Sequence, residues 1–141
     1  MLQRIQTIWL ILAAICGFLT FRFPFYAGNK IDANNVKAFE QLTASSHLLL
    51  SIPTILVIAA ALIAIFLYKN RKLQLRIIIL AIVISLINLF HFYLSTKKFV
   101  LDDGTYSLTA LFAILVPIFL LLAARNVYKD EKLVKSMDRL R

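Results

Sequence analysis

The sequence predicts an all-α membrane protein, a bundle of four transmembrane helices. Three observations predict it. The chain of 141 residues is 61% hydrophobic and 16% charged, against about 45–50% and about 25% in soluble domains. Its apolar residues fall into four blocks, 5–21, 47–68, 77–94 and 106–124, each close to the roughly 17–25 residues that cross a bilayer as a helix. Every Lys, Arg, Asp and Glu lies outside those blocks.

Segregation of charge is what a lipid environment produces, because a charge at the bilayer centre costs about 2.5–3.5 kcal/mol on insertion scales. A soluble helical bundle would carry charges every few residues along the outward face of each helix. Lipid cannot satisfy backbone N–H and C=O groups, so isolated apolar spans must be helical. The blocks do not alternate apolar with polar residues, which excludes a barrel.

The first block resembles the apolar run of a signal peptide. Leu12-Ala13-Ala14-Ile15-Cys16 has a cysteine but lacks the small residue that lipoprotein cleavage requires before it, and three more spans follow. It is therefore expected to stay as a helix. Cys16 is the single cysteine, so no internal disulfide forms. Ala13 and Gly17, like Ala60 and Ala64 in the second block, are small residues four apart that allow close helix approach. Pro53 and Pro117 interrupt the hydrogen bonding of the second and fourth spans at the carbonyls of Leu49 and Ala113.

The first connection, 22–46, begins with Pro24, which ends a helix. The alternation of apolar and basic residues over Phe21–Tyr26 suits a short strand, Ala27-Gly28-Asn29-Lys30 reads as a turn, and Val36, Phe39 and Leu42 have helical spacing, as if the second helix begins early. The second connection, 69–76, is basic. In the third, Asp103-Gly104 between β-prone residues predicts a small hairpin over Lys98–Leu108. That hairpin competes with a helix starting at Tyr106, and a strand from the first connection could join it. The remainder, 125–141, is expected to continue the fourth helix as a tail.

Charge sets the orientation. The side bearing both termini and the 69–76 loop holds eleven Lys and Arg against three acids, and the other side holds five against four. Positive residues stay inside, so both termini are expected in the cytoplasm. The net charge of +9 is read as topology, not nucleic-acid binding. Tyr68 and Tyr128 fall at inner ends of spans and Tyr26, Tyr93 and Tyr106 at or near outer ends, as an interfacial belt requires. Trp9 lies a turn too deep for the belt.

No phosphate loop, zinc-protease motif, Cys-x-x-Cys or nucleophile elbow occurs. No acid lies within a span, which removes the usual parts of a proton relay or ion-coupled transporter. No catalytic residue, cofactor or nucleic-acid partner is expected. The two histidines are the lead to a site. His47 and His91 fall at the same outer depth, with Ser51 near the first and Asn88 three residues before the second. A shared pocket could take a lipid, a small ligand or a metal, the last needing carboxylates such as Glu40, Asp102 or Asp103. The plainer reading is hydrogen bonding between helices. In the tail, Leu133, Val134, Met137 and Leu140 share one face. That face fits a helix end lying on anionic lipid or a docking surface for a membrane or cytoplasmic protein.

The opening Met1–Leu10 (MLQRIQTIWL) and the ending Lys129–Arg141 (KDEKLVKSMDRLR) resemble the terminal signatures of the family filed as domain of unknown function 4293. The resemblance implies a small four-span inner-membrane protein of Bacteroidota-type bacteria and implies no activity, cofactor or site residue. The expected function is that of a non-enzymatic accessory or scaffold protein that contacts partners through its cytoplasmic ends. The alternative is a binder of a small ligand, lipid or metal at His47 and His91.

Overall fold

The computed structural model describes residues 2–31, 37–99 and 104–138. Four helices dominate: α1 Leu2–Arg22, α2 Leu48–Phe66, α3 Arg71–Thr96 and α4 Ala110–Asp138. All four are long and apolar enough to cross a membrane. They stand in a ring, α1 on α2 and α4, and α3 on the same two. A small sheet closes one end of the bundle, and the tail of α4 leaves from the other.

The bundle is apolar on its outside as well as in its core. Its interior packs Leu10, Val57, Ile78 and Leu120 with the small Ala13, Ala61, Ala64, Ala81 and Ala123, and it also holds Gln6, Thr20, Thr54, Gln74, Ser85 and Asn88. Its outside carries Ile15, Phe18, Ile55, Leu62, Leu80, Val83, Leu86 and Phe90, all exposed. In water a continuous apolar surface of this kind drives association. Between lipid tails it costs nothing, and helices are held by close packing and hydrogen bonds instead. Gly17 shows the packing: a Cβ there would come within 2.9 Å of Ile58 Cγ1 on α2. Trp9 stacks on Phe119 of α4 with ring centroids 5.8 Å apart, so its depth reflects helix packing and not an interfacial belt.

Helix ends follow from local chemistry. After α1, Phe23 N–H still reaches Leu19 O at 2.9 Å, and Pro24 then stops the helix. A 3-10 turn at Leu67–Lys69 ends α2, and the Asn70 side chain accepts from Leu73 N–H to cap α3. Both α2 and α4 continue through their prolines.

The sheet has strands β1 Tyr26–Ile31, β2 Lys37–Leu42 and β3 Thr105–Tyr106, in the order β2-β1-β3. Both pairings are antiparallel, with Tyr26 opposite Leu42 on one side and Tyr106 on the other. Several sequence expectations are corrected here. Gly28 and Asn29 are not a turn but lie within β1, opposite Glu40 and Phe39. Phe39 and Leu42 are not on a helix: residues three apart on a strand face opposite ways, and Phe39 is 67% exposed while Leu42 is 2% exposed. The hairpin therefore forms within the first connection. Among the described residues of the 98–108 segment only Thr105 and Tyr106 form a strand, and they add to β1, while Lys98 and Phe99 lie in a turn and bend. Val36, Asp102 and Asp103 lie outside the described residues. With β3 at 105–106, α4 starts at Ala110 and not at Tyr106.

Aromatic packing seats the sheet on the bundle. Phe25 meets Phe92 of α3 at 4.9 Å, and Tyr26 lies edge-on to Phe99 and Tyr106 at 5.2 and 5.0 Å. Tyr26 is thus buried among rings. A Cβ at Gly104 would overlap the Tyr26 ring and hydroxyl, so this glycine is required by the tyrosine beside it. Ala44 N–H to Thr20 O (3.0 Å) ties the first connection to α1, and Thr109 Oγ1 to Pro24 O ties the third connection to the first.

Candidate functional site

His47 sits between a hydroxyl-rich turn and α2. Thr43 N–H donates to Ser46 Oγ at 2.9 Å, Ser46 Oγ donates back to Gln41 O at 3.2 Å, and Ser51 Oγ reaches Ala44 O at 2.7 Å and His47 O at 3.2 Å. These bonds occupy the turn and fix where α2 begins, and His47 makes no side-chain cap of its own. His91 lies on α3 four residues after Ile87, whose carbonyl oxygen is 2.9 Å from Nδ1. A carbonyl can only accept, so Nδ1 carries the hydrogen and Nε2 is the ring atom left for a ligand.

The two histidines share one open groove of about 620 Å³ between the sheet ends of α2 and α3. Leu48, Leu49, Leu50 and Leu94 give it apolar walls, and Ser46, Ser95 and Lys98 complete the polar side. Leu48 is 77% exposed at its mouth. Ser51 and Asn88 are not part of this lining. Ser51 is used by the turn, and Asn88 faces the bundle interior. Three residues along a helix leave two side chains only about 60° apart, and here that offset separates a buried Asn88, bonded to Thr54, from a half-buried His91 in the groove. For a metal, no three His, Cys, Asp or Glu side chains come together among the described residues. Glu40 is paired instead with Lys30 across the β1–β2 hairpin at 2.9 Å.

At the opposite end, the root of the tail is tied down. Arg71 Nη1 donates to Asp130 O at 3.0 Å, joining the first residue of α3 to α4. Beside it Gln74, 1% exposed, donates from Nε2 to Ala64 O at 2.8 Å. Leu133 and Val134 are exposed on α4 beyond this tie. The side chain of Met137, and Leu140 altogether, lie outside the described residues.

Hydrogen bonding between helices, the plainer reading of the polar residues near His47 and His91, occurs at Asn88. Thr54 on α2 and Asn88 on α3 are joined by Asn88 Nδ2 donating to Thr54 Oγ1 at 2.8 Å. The signal was present in the strings themselves, as lone polar residues within apolar runs, each of which needs a partner in a lipid environment. The arrangement as a whole offers binding surfaces at both ends and a hydrogen-bonded interior.

The model of the family described as "Domain of unknown function (DUF4293)" matches residues 2–140. Neither a curated protein nor a solved structure matches the chain. The resemblance at the two termini thus extends over the whole fold, and this chain belongs to the DUF4293 family.

Proposed function

We propose that this chain is a multi-pass protein of the bacterial inner membrane with both termini in the cytoplasm, a non-enzymatic accessory that meets a protein partner through its cytoplasmic ends. The bias of Lys and Arg, eleven against five, supports this orientation. One observation carries the functional part. Helix α4 continues without a break to Asp138 and is braced at Asp130 by Arg71. A helix held rigidly at its root and projecting from the bundle presents its far turns for docking in a partner's groove, at little ordering cost. A photo-crosslinking side chain at Val134 should give a discrete protein adduct in native membranes, and one at Val83 should give lipid adducts. Lipid adducts alone at Val134 would contradict the docking role.

A second reading is favoured by the meeting of His47, His91 and Lys98 in one groove. An ammonium group and two imidazoles over leucine walls suit a phospholipid: phosphate on Lys98, acyl chain along Leu48, Leu49 and Leu94. The protein released gently from membrane should carry bound phospholipid in native mass spectrometry. Substituting Lys98→Ala together with His47→Ala and His91→Ala should remove most of it, and unchanged retention would count against the groove.

A further inference from the structure

Below the sheet, all four helices line a small, partly open cavity that includes Gly17 and Thr20 of α1, Thr54 of α2, Ser85 and Asn88 of α3, and Ala113 of α4. Phe92, tilted against Phe25, also lines it. It leaves about 20 Å³ to the centre of a water molecule, where one water needs about 10–15 Å³. This space is distinct from the histidine groove.

Hydrogen-bond accounting shows what the cavity lacks. Thr20 Oγ1 donates to Gly17 O at 2.7 Å, Thr54 Oγ1 to Leu50 O at 2.6 Å and Ser85 Oγ to Ile82 O at 2.8 Å. Each hydroxyl spends its hydrogen on its own helix and keeps only lone pairs for the interior. Asn88 is 8% exposed, and its Oδ1 is buried with no donor. Reversing the amide only moves the problem, since it puts Nδ2 in the buried place that has no partner. Pro117 adds another acceptor: it has no N–H, so the Ala113 carbonyl loses its helical donor. An orphaned buried carbonyl costs about 1–3 kcal/mol.

We propose that the cavity is a binding site for one structural water. The water donates one hydrogen to Asn88 Oδ1 and the other to an acceptor on α1 or α4, Thr20 Oγ1 or the Ala113 carbonyl. It thereby completes the seam that Asn88 and Thr54 begin and links α3 to a helix with which Asn88 has no direct bond. A water fits better than a cation. The lining carries no acid, and an ion held without a counter-charge in this setting is expensive.

The test is a structure of the full chain in lipid nanodiscs, at a resolution that shows ordered waters, recorded once in sodium and once in caesium salts. The expected result is one peak in the cavity, about 2.5–3.0 Å from Asn88 Oδ1, identical in both salts. In Asn88→Leu the peak should be lost while the helices keep their places. Three results overturn the proposal: an empty cavity in the wild-type chain, a peak that changes when the cation is exchanged, or Asn88 Oδ1 found bonded to a protein donor. Because the wild-type structure decides on its own, failure of the variant to fold does not spare the proposal.

Discussion

A Val83→Arg chain is expected to fail to insert. Val83 lies at the middle of α3, and 49% of it is exposed on the apolar outside of the bundle. If that outside faces lipid, the guanidinium is placed at the depth where it is least tolerated, and insertion scales put the penalty at about 2.5–3.5 kcal/mol. At about 1.4 kcal/mol for each factor of ten, insertion falls by roughly two orders of magnitude. Snorkelling gives little relief, because the nearest interface is several turns away in either direction. The fraction resistant to carbonate extraction measures the effect, and Val83→Leu should behave as wild type. A Val83→Arg protein that is soluble, folded and monomeric would mean that the apolar exterior does not face lipid.

Replacing Gly17 by leucine is expected to give the larger of the packing defects. The α1–α2 contact leaves no space for a Cβ without moving Ile58, which would stand 2.9 Å from it. An alanine presses on Ile58 Cγ1, which a β-branched side chain holds close to its backbone, so even this change forces Ile58 to shift. Leucine adds three further carbons and must push α1 and α2 apart or fill the polar cavity that Gly17 also lines. Overpacking of this type costs about 1–3 kcal/mol. Thermal unfolding in nanodiscs should therefore rank wild type above Gly17→Ala and Gly17→Leu lowest, with Ile58→Ala restoring part of the loss in the leucine background. Equal melting of all three would show that the two helices do not approach closely at this point.

The helices were legible in the sequence because charged and apolar residues are segregated in the string, as a penalty on charge in lipid would produce: the apolar runs are bounded by Arg22, Lys69, Arg76 and Arg125. The sheet was less legible for a definite reason. Gly28-Asn29 has the composition of a turn, yet in β1 the glycine is buried opposite Glu40, and nothing in the local string distinguishes the two uses. Asp103-Gly104 carries a hairpin signal, but Gly104 answers to a tyrosine almost eighty positions away in the chain. Contacts at that separation are invisible to local pattern. At the candidate site, matching depth correctly brought His47 and His91 to one groove, since two antiparallel spans fix depth well. Depth says nothing about rotation around the helix axis, and rotation is what sends Asn88 inward to Thr54. The tie from Arg71 to Asp130 had no local signature either, because its acceptor is a backbone carbonyl.

Cysteine accessibility in intact cells tests the central claim most directly. With Cys16 changed to Ala, a single cysteine is introduced at Asn29 in the sheet or at Lys132 in the tail, and a membrane-impermeant maleimide is applied. Labelling at Asn29 from outside, with Lys132 protected until the membrane is broken, is the predicted result. Labelling of Lys132 in intact cells, or of both sites alike, would contradict a four-helix bundle that crosses the bilayer with its tail inside.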